Sequence, residues 1–301
     1  MDTLHFIIPF AAGGPGDTLG RLLGSQLCAR TGRKVTYENL HGANGIAGSA
    51  KAAKAPPDGN TVVMAASAHY INPSIYRRLP FDPARDFAPV TLVASGANVL
   101  VAHPAVAAQD VAGLIALARK RPGALRYASG GHGSPSHLAA ELFKVMAGVD
   151  LTHVPYKGHE AAGIALTRGA DVQLMFDATL PAVPHLAARR WKALAVTTRT
   201  PAPVLRGIPT VAASGLPGYE VAPSIGVLAP GATPGHLTAA LAADIAAVVH
   251  SSEVAAQILD AGSEPIGNTP QQYADYVETE IAKWARVVQA ARIEMRDVPA
   301  D

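Results

Sequence analysis

Two glycine-rich turns in this sequence have the residue types that bind an anion. Turn 1 spans residues 9–18 and turn 2 spans residues 129–135; each follows a short apolar run and precedes apolar residues at helical spacing. A strand therefore enters each turn and a helix leaves it. The first N–H groups of such a helix have no partner within it, and the helix dipole favours an anion beside them. One such turn is equally compatible with a plain connection, but its repetition favours a ligand site.

Small residues, hydroxyl groups and a few ionisable side chains follow four of the predicted strands. Because the carboxyl ends of parallel strands meet at one edge of a sheet, these residues are candidates for ligand binding. They are Phe10, Ala11, Gly13, Gly14 and Asp17 in turn 1, Ser67 and Ala68 after a strand at residues 61–66, Ser129, Gly131, His132, Gly133 and Ser134 in turn 2, and Asp177 and Ala178 after a strand at residues 172–176. No activated nucleophile is evident among them, so they suit binding better than catalysis.

The residues that begin the two helices differ. After turn 1, Asp17 or Thr18 is expected to cap the helix. After turn 2, Ser134 is expected at the N-cap and Pro135 at the first helical position, which is a strong helix-start signal.

Asp177 is expected to end its strand and to face the ligand. A carboxylate repels an anion in a confined site but attracts an ammonium group. If the ligand is an amino acid, its amino group would meet Asp177, directly or through a water molecule. The alternative is that Asp177 caps the following turn and never touches the ligand.

The usual catalytic and cofactor signatures are absent from the sequence. It has no Gly-x-Ser-x-Gly, no phosphate loop and no His-Glu-x-x-His, and the glycines Gly42, Gly45 and Gly48 do not form the dinucleotide fingerprint. His132 and His137 are five residues apart across a helix start, which argues against a shared metal ion. We therefore expect no cofactor.

Composition indicates a globular protein with a large core. The chain has 301 residues, of which 49% are hydrophobic and 16% charged, and this length suggests about two domains. The formal net charge is only +2 and the basic residues are scattered, so we expect no nucleic-acid partner. Cys28 is the single cysteine, so no internal disulfide forms. No apolar run reaches the roughly 18 residues of a membrane span.

The order of predicted elements indicates an α/β fold with two lobes. Strands and helices alternate from residue 4 to residue 66 and again from residue 111, which favours mostly parallel sheets flanked by helices. The chain is expected to cross between lobes near Ser95 and near Ser224, by strands at residues 89–102 and 219–229. Lobe 1 is predicted to comprise residues 1–98 and 225–301, and lobe 2 residues 99–224, with a ligand cleft between them. Residues 71–87 are expected to be irregular, and residues 201–218, which are rich in proline and glycine, are expected to cross the surface.

A series of short motifs in register over residues 4–293 resembles one family. The motifs are Pro9-Phe10-Ala11-Ala12-Gly13-Gly14, Pro57-Asp58-Gly59, Asp86-Phe87-Ala88-Pro89-Val90, Tyr127-Ala128-Ser129, His153-Val154-Pro155-Tyr156-Lys157-Gly158 and Met175-Phe176-Asp177. They resemble the Bug proteins, or TctC family, which are the periplasmic solute-binding components of tripartite tricarboxylate transporters. The resemblance implies the architecture of type II periplasmic binding proteins and a small carboxylate ligand bound partly through ordered water.

The resemblance also implies where the protein acts and with what. It implies a periplasmic protein that captures a dicarboxylate, tricarboxylate or amino acid for membrane permease subunits, without being an enzyme. Residues Met1-Asp2-Thr3 lead directly into the first strand, so either a signal peptide has been removed or the protein is cytoplasmic. We expect a monomer.

Gly130 and His132 stand where the family often has Ser and Asn, which leaves the ligand's identity open. Two other functions are compatible with the sequence. One is a sensor that presents its bound form to a signalling partner, and the other is a cleft enzyme that uses His132 and Asp177 as acid and base.

Overall fold

The computed structural model describes residues 3–298. Contacts divide the chain into two compact units. Unit 1 contains the residues up to Ser95, Ser224–Ala285 and the residues from Glu294, whereas unit 2 contains Gly96–Pro223 and Arg286–Ile293. The expected ligand cleft between two lobes stays a prediction.

The secondary structure alternates along most of the chain. The strands are β1 (Thr3–Ile8), β2 (Lys34–Asn39), β3 (Thr61–Ala66), β4 (Phe87–Gly96), β5 (Asn98–Ala102), β6 (Arg126–Ser129), β7 (Thr152–Pro155), β8 (Leu174–Ala178), β9 (Lys192–Val196), β10 (Ser224–Pro230) and β11 (Ser263–Pro265). The helices are α1 (Pro15–Thr31), α2 (Ile46–Ala53), α3 (Ala68–Ile75), α4 (Val111–Lys120), α5 (Pro135–Ala147), α6 (His159–Arg168), α7 (Thr179–Ala187), α8 (Gly235–Val249), α9 (Ser252–Asp260) and α10 (Pro270–Ala290).

Unit 1 is built on a six-stranded sheet in the order β11-β4-β10-β3-β1-β2. Strand β1 runs parallel to β2 and β3, whereas β10 lies between β3 and β4 and runs antiparallel to both. Phe6 and Ile8 of β1 are fully buried and pack in one cluster with Leu23 and Leu27 of α1. The four-residue spacing of these leucines places both on the helix face that covers the sheet.

Unit 2 is built on a five-stranded sheet in the order β7-β6-β8-β5-β9. Strand β6 runs parallel to β7 and β8, whereas β5 runs antiparallel to β8 and β9. Val99 and Val101 of β5 pack with Met175 of β8 and Leu166 of α6. The predicted α/β class, with mostly parallel sheets flanked by helices, is confirmed, and β10 in the first sheet and β5 in the second run against both of their neighbours.

Several local predictions were wrong. Residues 71–87 were expected to be irregular, but α3 covers the first part despite Pro73 inside it. A proline late in a short helix removes one hydrogen bond, and the complete burial of Tyr70 and Ile71 compensates for that loss. The run at residues 89–102 is two strands, β4 and β5, rather than one. Helix α7, with Pro184 inside it, and strand β11 were not predicted.

Among residues 3–298, no single helix has both the length and the apolar composition of a membrane span. The consecutive helices α8 and α9 reach that length and composition only together, and they are bent by 73° at the break between them.

His69 is a buried histidine that packs against the loop at residues 77–86 and holds this loop against the core of unit 1. His69 is 4% exposed, and its Nε2 donates a hydrogen bond of 3.2 Å to the carbonyl oxygen of Pro83. Its ring stacks on Phe81 and meets Phe87 edge-on at 4.8 Å between centroids. Burial lowers the pKa of His69 to about 4, because a charged imidazole would lose its hydration there.

A pH-dependent stability should follow from this burial. An unfolded chain takes up a proton at His69 below the ordinary pKa of 6.5, whereas the folded protein resists protonation down to about pH 4. The free energy of unfolding should therefore be undiminished above pH 6.5 and fall by about 3 kcal/mol as the pH falls to about 4. Urea unfolding at pH 7 and pH 4.5 measures this difference.

His69→Phe keeps an aromatic ring but removes the ionisable group. The free energy of unfolding of this variant should therefore lose the part of its pH dependence that is due to His69. The exposed His236 supplies a matched control, because His236→Gln should keep the full wild-type dependence. Identical pH dependence in the two variants would contradict the assignment.

Candidate functional site

Turn 1 connects β1 to α1 without a side-chain cap. Gly14 occupies the N-cap position with extended backbone angles, and Pro15 follows at the first helical position, where its missing N–H is no loss. The prediction that Asp17 or Thr18 caps this helix was wrong. The backbone N–H of Thr18 instead donates to the carbonyl oxygen of Gly14 at 2.9 Å.

The carboxylate of Asp17 shapes turn 1 from within. It is 3% exposed and accepts hydrogen bonds from Arg21 Nε at 2.9 Å, Asn39 Nδ2 at 2.9 Å and the backbone N–H of Gly13 at 2.8 Å. The hydrogen bond from Arg21, followed by those from Asn39 and Gly13, lowers the pKa of Asp17 to about 2. Gly13 has a left-handed φ of 78°, a conformation that only glycine adopts readily.

These contacts decide which groups of turn 1 remain available to a ligand. The N–H of Gly13, a predicted ligand donor, is already used by Asp17. The N–H groups of Gly16 and Asp17 lie in the first turn of α1 and have no partner within the helix, although both residues are buried. Ala11 is exposed and Phe10 half-buried, and a methyl group on Gly16 would lie 2.4 Å from Phe10 Cδ2. The phenyl ring therefore lies directly over this helix start.

Ser67 and Ala68 lie at the same sheet edge as turn 1, because β1 and β3 are parallel neighbours. Ser67 joins β3 to β10: its N–H donates to the carbonyl oxygen of Ser224 at 3.1 Å, and its Oγ accepts from the N–H of Ser224 at 2.9 Å. Ala68 begins α3 and is half-buried. Ser67 therefore has an evident structural role at the edge where we expected ligand contacts.

Turn 2 connects β6 to α5 as the sequence predicted. Ser134 is the N-cap, its Oγ accepts from the N–H of His137 at 3.3 Å, and Pro135 is the first helical residue. Gly131 and Gly133 have positive φ angles of 128° and 71°. The predicted helix start is confirmed.

Three backbone amides of turn 2 are used inside the turn, so they are not the free donors that were expected. The N–H of Gly131 donates to Ser129 Oγ at 3.2 Å, that of Gly133 to His137 Nδ1 at 3.1 Å, and that of Ser134 to the carbonyl oxygen of Gly131 at 3.2 Å. Turn 2 is therefore preformed by its own hydrogen bonds. Its contacts with a ligand would come mainly from side chains or through water.

The rings of Tyr127, His153 and His137 form a stack that supports turn 2. The rings of His137 and His153 are 4.0 Å apart and nearly parallel, and Tyr127 stacks on His153 at 4.9 Å. His153 Nε2 lies 2.6 Å from Ser129 Oγ, and the Tyr127 hydroxyl donates to Glu141 Oε1 at 2.5 Å. Burial raises the pKa of Tyr127, and the nearby Glu141 carboxylate adds to the effect.

This stack was not predicted from the sequence. Tyr127 and His153 are direct neighbours in the parallel pairing of β6 with β7, so the strand register carries the signal. Ser129 has 0% exposure and its Oγ also contacts the backbone of Gly131. The Ser129–His153 pair therefore supports the turn rather than offering a reactive hydroxyl to a substrate.

Asp177 lies within β8 rather than after it, because the strand extends to Ala178. Its carboxylate is 3% exposed, and Oδ1 accepts from the N–H of Ala178 at 2.9 Å. The same oxygen lies 3.2 Å from Nδ1 of His159, whose side chain is 47% exposed. His159, at the start of α6, was not among the predicted site residues. The accessible part of this pair is the imidazole, not the carboxylate.

Among residues 3–298, no three His, Cys, Asp or Glu side chains are arranged to hold a metal ion. The candidate residues offer backbone amides and hydroxyl groups in both units, and the ionisable pair His159–Asp177 in unit 2.

Removing the charge of Asp17 should loosen turn 1. Asp17→Asn keeps the shape of the side chain but replaces hydrogen bonds to a charged acceptor by weaker ones, at a cost of about 2 kcal/mol in the free energy of unfolding at pH 7. Chemical denaturation measures this loss. Asp260→Asn, at an exposed position at the end of α9, is the control and should change stability little. Equal stability of the two variants would show that Asp17 does not brace the turn.

Comparison with known proteins places the chain in a family. Residues 19–293 match the TctC model, described as the tripartite tricarboxylate transporter family receptor. The solved structure of Rpa4515 from R. palustris with adipate is 36% identical, with a TM-score of 0.82 over 98% of this chain and 99% of that one.

Two further structures are similar over nearly their whole length. MatC (Rpa3494) from Rhodopseudomonas palustris with bound malate is 30% identical, with a TM-score of 0.78 over 95% of this chain and 99% of that one. The periplasmic binding protein BugD is 28% identical, with a TM-score of 0.78 over 98% of this chain and 99% of that one. These likenesses confirm the two-lobed periplasmic-binding-protein architecture and the resemblance that the motifs indicated. The chain therefore belongs to the TctC family of periplasmic solute-binding proteins.

Proposed function

We propose that this protein binds a small carboxylate and delivers it to the membrane permease subunits of a tripartite tricarboxylate transporter. The observation that carries the proposal is turn 1, where the helix start of α1 combines unpaired amides with a conformation fixed by Asp17. Similar structures were solved with adipate and with malate, and both are dicarboxylates. This agreement supports a carboxylate as the ligand.

The charge of Asp17 does not oppose an anion at turn 1 in this proposal. Its carboxylate points into the protein and is paired with the guanidinium of Arg21 at 2.9 Å, so the pair is close to neutral. An approaching carboxylate then meets the positive end of the α1 dipole and the N–H groups in the first turn of α1.

In this proposal the ligand also engages unit 2, near turn 2 and Asp177. A ligand that contacts both units binds best when both contacts are made at once, so binding shifts the population toward a closed form. A permease that recognises the closed form would then receive only loaded protein. The predicted ligand residues of both units remain part of this proposal.

Small carboxylates should stabilise the folded protein. A ligand at 100 times its dissociation constant adds about 2.7 kcal/mol to the free energy of unfolding, which raises the melting temperature measurably. Adipate, malate, citrate, glutamate and hexanoate form a suitable panel for a thermal shift assay. If a panel widened to other mono-, di- and tricarboxylates and amino acids also leaves the melting temperature unchanged, the proposal fails.

The turn 1 contact can be tested with two valine substitutions that strain the backbone equally. Gly13→Val and Gly32→Val both force a branched side chain into a left-handed conformation, with φ of 78° and 71°, and at neither position would the added Cβ have a neighbouring atom within 4 Å. Gly13 lies in turn 1, whereas Gly32 lies at the opposite end of α1.

We expect Gly13→Val to weaken carboxylate binding more than tenfold and Gly32→Val to leave the affinity unchanged, although both lower the melting temperature. Isothermal titration calorimetry measures the affinities. Retained affinity in Gly13→Val would mean that turn 1 is an ordinary connection.

A further inference from the structure

The pair formed by His159 and Asp177 presents one exposed ionisable group at the ligand-facing edge proposed for unit 2. Strands β6, β7 and β8 are parallel, so turn 2, the start of α6 and Asp177 share one edge of the sheet. His159 also lies against turn 2, since a methyl group on Gly130 would be 3.0 Å from His159 Cδ2. A ligand that reaches this edge meets an imidazole before it meets the buried carboxylate.

The hydrogen bond to Asp177 determines what the imidazole can offer. Nδ1 lies 3.2 Å from Asp177 Oδ1, so the proton between them belongs to Nδ1. A neutral ring then presents a lone pair at Nε2, whereas a protonated ring presents an N–H. A ligand carboxylate that approaches Nε2 leaves the ring of His159 between two negative charges, and the arrival of the ligand favours the protonated ring.

We propose that His159 selects dicarboxylates over monocarboxylates by taking up a proton when the second carboxylate of the ligand binds. The inference rests on the proposed function, because it concerns the same ligand. The proton comes from solvent, Nε2–H donates to the ligand carboxylate, and Nδ1–H continues to donate to Asp177. The imidazolium thereby separates two carboxylates that would otherwise repel each other.

Other ionisable groups near His159 do not replace it in this role. Lys157 and Glu160 flank it in the chain, are both exposed and carry opposite charges. His132 belongs to turn 2, and His185 of α7 stacks on Trp191 at 3.9 Å between centroids. Burial lowers the pKa of His185, and Arg190 adds to this effect while Asp177 partly offsets it. His159 combines a hydrogen bond to Asp177 with a side chain that is 47% exposed.

The test compares ligands that differ by one carboxylate. Adipate and hexanoate share a six-carbon chain, and malate and 2-hydroxybutanoate share a four-carbon chain. Calorimetry at pH 6 and pH 8, in two buffers of different ionisation enthalpy, gives both affinity and protons bound. For the wild type at pH 8, we expect up to one proton taken up per dicarboxylate, and none per monocarboxylate. The dicarboxylate affinity should fall as the pH rises, by at most tenfold per pH unit.

His159→Gln keeps a polar side chain that cannot take up a proton. It should weaken dicarboxylate binding about tenfold at pH 6, abolish proton uptake and leave monocarboxylate affinity within about twofold. Asp177→Asn removes the charge behind the ring and should reduce proton uptake at pH 8 even where binding persists. His236→Gln, at an exposed position in unit 1, is the matched control and should behave like the wild type.

The outcomes separate the two hypotheses. If the wild type binds no carboxylate of the panel, the proposed function fails and this inference fails with it. If the wild type binds dicarboxylates but His159→Gln retains both the selectivity and the proton uptake, the inference is overturned and the proposed function stands. Binding of glutamate that tightens as the pH rises, and that depends on His159, would also overturn it, because a neutral ring would then be accepting from the ammonium group.

Discussion

The buried charge of Asp17 is the constraint around which turn 1 is organised. A carboxylate removed from water is tolerated only when its lone pairs are satisfied, and Asp17 obtains its donors from three different elements. Gly13 belongs to the turn, Arg21 to α1 and Asn39 to the end of β2. Arg21 also donates to Asn39 at 2.8 Å, which closes the network. One side chain therefore fixes the turn, the helix start and the neighbouring strand relative to each other within unit 1.

Both turns connect a strand to a helix, but the hydrogen bonds that hold them differ. In turn 1 the N–H of Gly13 donates to the Asp17 carboxylate and that of Gly14 to the carbonyl oxygen of Ala11, whereas the N–H groups of Gly16 and Asp17 have no partner within α1. In turn 2 the bracing acceptors are Ser129, His137 and the carbonyl oxygen of Gly131, and they use the turn's own N–H groups. In the proposed function, unit 1 binds a carboxylate through its backbone. In the further proposal, His159 of unit 2 distinguishes ligands through its side chain.

The sequence predicted the features that depend on neighbouring residues and missed those that depend on distant ones. The start of α5 followed from Ser134 and Pro135 alone, and the α/β class followed from the alternation of apolar runs. Helix α3 was missed because Pro73 argues against a helix, and only the burial of its neighbours in the folded unit overrides that signal. The contact between His159 and Asp177 joins residues 18 apart in sequence and depends on β8 extending to Ala178. No local pattern fixes that strand end.

The position of β10 has a consequence for the order in which the chain can fold. This strand lies between β3 and β4, but it follows them only after all of residues 96–223, the main segment of unit 2, have been made. As the chain is synthesised from its N-terminus, the sheet of unit 2 has all its strands before unit 1 has its central one. Until residue 230 is available, β3 and β4 each carry an unpaired edge rich in Val and Ala, and such edges are prone to intermolecular pairing. Unit 1 is therefore at risk of aggregation during synthesis. The risk lasts for the time that the synthesis of unit 2 takes, because the strand edges stay unpaired until then.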